Sequence, residues 1–467
     1  MKRLVPALAL VLGLAAVPHV SSAAPDTTKV DIKPEKYTLA NGLEVVLDED
    51  HRTPIVTVNI WYHVGSKDEA AKRNGFAHLF EHVMFQGSKH VAEDTYFRYL
   101  EQAGATSING TTNTDRTNYF ETVPSNRLEL ALWLESDRMG FLLDHADQKT
   151  FESQREVVKN ERRQNYENAP YGLVMMAIRE EVFPKEHPYH LLTIGSPQDL
   201  DAATLEDVKG FFRQYYVPNN ATLVISGDFE KTKTKSLVDK YFGPIPRGMQ
   251  VPHRQPQLVL HPGETRIDVE AGVELPRVYI SWPTPQFFAP GDSDLDLVSQ
   301  ILTGGKTSRL YKRLVYDLQI AQGVQASQQS MELASEFQIV ATAKPGHTGD
   351  ELLKVIDEEL DKLRKSGVEA AELTRAKTTI ESDNIFDLEK SSGRANRLNS
   401  YNHYAGNPDW FVKDVSRVKN ATAESVVAAA KGWLKEKDRV VAVVTPNKSA
   451  PIAGRVTNVK RTGGGAK

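Results

Sequence analysis

The sequence predicts an α+β protein made of two homologous α/β domains of about 200 residues each, and three observations lead there. The chain has 467 residues, long for a single domain, and its 40% hydrophobic and 25% charged residues are the balance of a globular protein. It contains an internal repeat, because "TLEDVKGFFRQYYVPNNATLVISGDF" from Thr204 and "TAESVVAAAKGWLKEKDRVVAVVTPN" from Thr422 share one pattern at a constant offset of 218 residues. Each copy opens on a threonine N-cap, runs through helical apolar spacing, turns at a polar pair and ends in a β-branched strand.

Residues 1–24 read as a secretory signal, since Lys2 and Arg3 precede an apolar run from Leu4 to Val17 that ends in small residues at Ala23 and Ala24. A membrane anchor needs a longer apolar span, and no other run supplies one, so the expectation is a periplasmic chain without a stable membrane anchor. The chain has no cysteine, which excludes disulfides, thiol catalysis and thiolate zinc ligation. A metal site must therefore be built from His, Asp and Glu. Losing Lys2 and Arg3 takes the formal charge from −4 to about −6, which argues against nucleic acid as a partner.

The first domain is predicted over 31–245. Within it "NGFAHLFEHVMFQGSKH" reads as a helix with Asn74 as N-cap, Phe76, Leu79, Phe80, Val83 and Met84 for packing, and Gly87 as the stop. On such a helix His78 and His82 lie one turn apart with Glu81 beside them. Two imidazoles then converge on one point, and the carboxylate stands next to any water a zinc ion holds there. The bland alternative is a solvated helix face. A catalytic zinc takes a third protein ligand, and "TFESQREVVKNERRQNYENAPYG" offers Glu161 on the stripe of Val157 and Val158, with Glu152 and Glu156 on the opposite side. Taken alone Glu161 reads as structural; taken with HxxEH it reads as a ligand. Asn109-Gly110 in "TSINGTTNTDRTNYF" suits a type I′ turn. His187 and His190 read as loop residues.

"PRGMQVPHRQPQLVLHPG", rich in Pro and poor in periodicity, places a linker at 246–261. The second domain is predicted over 262–450, and 451–467, ending in "KRTGGGAK", as a disordered tail. At the offset of 218, His78, Glu81, His82 and Glu161 map onto Asp296, Ser299, Gln300 and Thr379. The second domain is therefore a degenerate repeat, and one zinc per chain is expected. "GGKTS" at 304–308 is no phosphate loop, because Gln300 stands where a Walker motif has glycine.

HxxEH followed by a glutamate at the distance of Glu161 resembles the signature of the pitrilysin-like, or inverzincin, zinc metallopeptidases. "REVVKNERRQ", "HPYHLLTIGSPQDL" and "YYVPNNATLVISGDF" are similar to the half-length bacterial members, over nearly all of the mature chain. The resemblance implies a duplicated fold forming half of a clamshell chamber, zinc (Zn2+) held by His78, His82 and Glu161, and Glu81 as general base. It implies a zinc metalloendopeptidase that hydrolyses peptides or unfolded polypeptides. The family holds substrate as an added β-strand on an edge marked by an Asn-Ala pair; Asn109 carries over as substrate-binding, while Gly110 replaces the alanine. Gln154 stands where many relatives have a second glutamate, and implies a neutral hydrogen bond outside the metal's own ligands.

The family's substrate-engaging Arg and Tyr fall at positions occupied here by Val315 and Gln322, although Arg309 and Tyr316 have the same spacing. The resemblance thus implies a catalytic subunit whose heterodimer partner, a homologous Arg/Tyr-bearing subunit, supplies the pair. A self-sufficient homodimer is the alternative, and a non-catalytic peptide-binding scaffold a further one.

Overall fold

The structure, a computed structural model, describes residues 32–252, 254, 255 and 257–462. The signal reading for 1–24 and the last five residues of the expected tail lie outside these.

Two six-stranded sheets form, one from each repeat. The first contains β1 (Glu35–Thr38), β2 (Glu44–Glu49), β3 (Ile55–Tyr62), β4 (Thr106–Thr112), β5 (Thr117–Pro124) and β6 (Ala221–Gly227), in the order β1-β2-β6-β3-β5-β4. The second contains β7 (Gly263–Ala271), β8 (Arg277–Thr284), β9 (Ala321–Gln329), β10 (Ser335–Ala343), β11 (Asp438–Pro446) and β12 (Arg455–Thr462), in the order β12-β7-β11-β8-β10-β9. One strand pair in each sheet is parallel, β2 with β6 and β7 with β11; the others are antiparallel. The two orders match position by position. Thr204 and Thr422 cap the helices Leu205–Tyr215 and Ala423–Trp433, their hydroxyls accepting from Asp207 N and Ser425 N. Each of these helices leads into a strand buried inside its sheet, β6 or β11.

Helices Phe76–Val83, Leu128–Phe141 and Leu205–Tyr215 close one apolar core with Val56, Val58, Ile60, Leu223 and Ile225 of the first sheet. The opposite faces are covered by exchange between the halves. Val174, Ile178 and Val182 of the helix Val174–Val182 pack on Ile267, Val269, Val440 and Ala442 of the second sheet. Ala395 and Leu398 of the helix Ser391–Ala405 pack on Val46 and Val224 of the first. Among the described residues no helix or strand lies between Phe242 and Gly263, and Asn41 Nδ2 donates to the carbonyls of Phe242 and Ile245, at 2.8 and 2.9 Å, where the first unit closes.

The expected disorder from residue 451 is corrected over the described part of that segment. Residues Arg455–Thr462 form β12, which pairs antiparallel with β7 in the place that β1 holds in the first sheet. Just before it, the carbonyls of Ile452 and Ala453 accept from Tyr171 N and Leu173 N, and Pro451 O accepts from Gly272 N. No helix among the described residues is long and apolar enough to cross a membrane.

Candidate active site

The helix Phe76–Val83 buries Phe76, Ala77, Leu79, Phe80 and Val83, which leaves His78, Glu81 and His82 on its other side. The two imidazoles are mostly covered, 15% and 19% exposed, and their rings meet edge to face at 5.0 Å. Glu161 comes from the end of the helix Gln148–Arg162, whose N-cap Asp147 accepts from Thr150 N at 2.8 Å. Its carboxylate spans the two rings, Oε2 at 3.5 Å from His78 Nε2 and Oε1 at 3.5 Å from His82 Nε2. The inward stripe of that helix is Thr150, Phe151, Gln154 and Val158. Val157, expected on the inner face, is exposed, because the helix is turned so that Val158 alone of the two reaches the core.

These three side chains offer ligand atoms within 4.8 Å of one another, and no other group of His, Asp and Glu among the described residues does so. Two imidazole nitrogens and one carboxylate are the donor set of a catalytic zinc, with a position left open, so the residues fit such an ion. Burial and the neighbouring His82 hold the His78 imidazole down at about 4, so its ring is neutral near pH 7 and keeps a lone pair to donate. His78 Nδ1 is buried without a hydrogen-bond partner among the described residues, which leaves packing to orient the ring. Burial pushes the Glu81 carboxyl up, against the pull of His82 and Arg116. Arg116 itself lies over the Trp61 ring at 4.9 Å and donates to the carbonyl of Thr111 at 2.8 Å.

Asn109 and Gly110 lie inside β4, paired with Phe120 and Tyr119 of β5, and not in a two-residue turn. β4 is the outermost strand of its sheet, so its far edge is unpaired by any described strand. The strand passes against Glu81: a Cβ added at Gly110 would stand 3.1 Å from Glu81 Cγ and 3.0 Å from the Phe85 ring. Gln154 is buried on the helix of Glu161 but makes no hydrogen bond to His78, His82 or Glu161. His187 and His190 are tied into their own loop, His187 Nδ1 accepting from Tyr189 N and His190 Nδ1 bonding the Phe183 carbonyl.

Sequence reasoning missed Glu69. Its Oε2 accepts from Gly75 N and Asn74 Nδ2, both at 3.0 Å, and its Oε1 from Ala77 N at 2.9 Å. It thus closes the N-terminus of the helix Phe76–Val83, where Gly75 rather than Asn74 is the capping position, with φ +102° and no side chain to give. Burial lifts the Glu69 carboxyl to about 8 while these three donors pull it down. The one available signal was an acid a few residues ahead of the helix.

In the second half, Asp296, Ser299 and Gln300 lie on the helix Asp292–Thr303 and Thr379 on the helix Ala370–Asp387, the counterparts of the two helices above. Arg309 is held by Glu372, with Nε and Nη2 donating to its two oxygens at 2.8 and 2.6 Å, and by the Gly367 carbonyl at 2.8 Å. Tyr316 is 74% exposed, Val315 packs against the second core, and Gln322 is exposed on the edge strand β9.

Two family models account for this arrangement. One described as Insulinase (Peptidase family M16) matches residues 44–192, and one described as Peptidase M16 inactive domain matches residues 202–380. The chain belongs to peptidase family M16. Among M16 relatives it is similar to the zinc protease PqqE of Helicobacter pylori, 31% identical over 400 residues, 84% of this chain and 87% of that one. The crystal structure of a protease from Helicobacter pylori matches with a TM-score of 0.84 and 28% identity, over 89% of this chain and 100% of the other. The periplasmic protease PqqL from Escherichia coli shares the fold, with a TM-score of 0.75 and 18% identity over 90% of this chain, but only 48% of PqqL is covered. The gap between the two M16 models, after Leu192, precedes β6, so the model for the inactive domain begins on elements that complete the first sheet.

Proposed function

We propose that this M16 chain is a zinc-dependent endopeptidase acting on peptides or unfolded polypeptides, with His78, His82 and Glu161 as the ligands of one zinc ion. The observation that carries the reading is the convergence of those three side chains beside Glu81 and the free edge of β4. A zinc ion held there would supply Lewis acidity, polarising the scissile carbonyl and acidifying a water molecule. Glu81 accepts the proton of the attacking water and returns it to the departing amine, so the peptide gains one water and splits into acid and amine. The edge of β4, with Asn109 and Gly110 in it, pairs with the substrate main chain, which requires an extended segment and is indifferent to most side chains.

The pairing of Arg309 with Glu372 favours a catalytic subunit whose Arg and Tyr come from a homologous partner, since this arginine is already engaged. Export to the periplasm rests on residues 1–24 and belongs to the same proposal. The test is cleavage of a quenched unstructured peptide by the purified zinc-loaded chain, alone and with candidate sister subunits. Glu81→Gln is expected to lower kcat by about 10²–10⁴-fold. Activity of the chain alone would favour a homodimer, and activity that survives Glu81→Gln would overturn the assignment of the base.

A further inference from the structure

The helix bearing His78, Glu81 and His82 has eight residues, scarcely two turns, and such a helix does not hold itself together in water. Its direction is set by what grips it. Along its length the grip is apolar, through Phe76, Leu79, Phe80 and Val83. At its start the grip is polar, and comes from Glu69: one carboxylate takes Gly75 N, Ala77 N and the Asn74 side chain. Ala77 is the residue next to His78, so the cap acts within one residue of the first imidazole.

The same end is linked to the helix of Glu161. Gly75 and Gly195 touch so closely that a Cβ added at Gly195 would lie 2.5 Å from Gly75 Cα, and Asn74 N donates to Asp199 at 3.0 Å. Arg162, the neighbour of Glu161, donates through Nη1 to the carbonyl of Gly195 and through Nε to Glu167 at 2.8 Å. The start of one ligand helix and the end of the other are therefore braced against the single segment from Gly195 to Asp199, and Glu69 closes the start of the first. Rotation or fraying of two turns would open the 3.5 Å gaps between Glu161 and the two Nε2 atoms.

We infer that Glu69 is a positioning residue for the metal centre, a cap placed so that the two imidazoles meet Glu161 at ligand distance. The inference rests on the reading of His78, His82 and Glu161 as the zinc ligands. It goes beyond a stabilising role, since a cap that served stability alone would leave the zinc affinity of the folded protein unchanged.

The experiment measures zinc affinity by chelator competition, with the melting temperature and amide exchange of the metal-free protein, for the full chain and for Glu69→Gln, Glu69→Ala and His78→Ala. Glu69→Ala is expected to bind zinc about 10-fold more weakly or worse, with faster exchange at Gly75 and Ala77. Glu69→Gln keeps one acceptor oxygen, should fold, and is expected to fall between. Affinities within about twofold of the parent for folded Glu69→Gln and Glu69→Ala, with exchange raised, would show a cap and nothing more, and overturn the inference. If His78→Ala binds zinc as the parent does, the ligand assignment itself is wrong, and the role of Glu69 falls with it.

Discussion

At Gly110 the Glu81 side chain has no spare room. A methyl group there would press on Glu81 Cγ at 3.1 Å and on the Phe85 ring at 3.0 Å, tighter than ordinary contact. Gly110→Ala is expected to lower kcat by about 10-fold by displacing Glu81, with the fold intact; an unchanged kcat would show that Phe85 yields instead. Arg309→Ala should behave oppositely. It strands Glu372, a mostly covered carboxylate, at a cost of about 1–3 kcal/mol, yet leaves KM for a peptide unchanged; a raised KM at preserved stability would make Arg309 a substrate residue after all. The convergence of His78, His82 and Glu161 was legible in the sequence where it was local: the two histidines need only the pitch of a helix, while Glu161 needed its place on a face together with HxxEH. Glu69 was not, because its reach to Gly75 and Ala77 depends on an intervening turn in which Lys72 adopts φ 62° and Gly75 φ +102°. Spacing alone does not reveal such a turn.

Elements with a strong period were legible, and the one that was missed lacks it. β12 lies open to solvent along its whole length and changes register between Val456 and Asn458, so its apolar residues do not alternate as a strand covered on one face would. Such an edge strand is written mostly in polar residues, and its charges, Arg455, Lys460 and Arg461, also discourage further pairing. Its consequence for the site is indirect. The segment before it accepts the N–H groups of Tyr171 and Leu173, between the helix of Glu161 and the helix Val174–Val182. A chain ending at residue 450 should lose roughly 3 kcal/mol or more, at about 1 kcal/mol for each backbone bond removed. It should also be cut faster between residues 163 and 174, as limited proteolysis with a melting curve would show. Equal resistance would mean that the Tyr171 connection holds without the C-terminal segment.

The duplication of the whole molecule was legible from an offset, but the exchange of helices was not, since an offset is silent about which sheet a helix covers. The exchange is also unequal. The helix Val174–Val182 meets a mostly apolar face, whereas Ser391–Ala405 adds to its apolar contacts a row of polar ones, Arg394 with Asp48, Asn399 with the Asn59 carbonyl at 2.9 Å, and Asn402 with Glu44 at 2.7 Å. The join between halves therefore depends in part on charge. At its centre Glu332 of the second half faces Lys67 of the first at 3.2 Å and His403 of the exchanged helix at 3.3 Å. Burial alone would raise the Glu332 carboxyl, but His403 and Lys67 overcome it and hold it at about 2. A carboxyl whose folded value is depressed binds its proton more readily once unfolded. Its stabilising effect is therefore present above the ordinary value of 4.5 and fades as pH falls from there towards about 2. Glu332→Gln should be less stable than the parent at pH 7, by on the order of 3 kcal/mol, and the difference should close as the pH is lowered through that window. Denaturant melts of both proteins at pH 7, 5, 4 and 3 would measure it. A difference that stays constant with pH would mean that Glu332 contributes packing and not charge, and that the polar face under Ser391–Ala405 holds the halves together by hydrogen bonds that do not titrate.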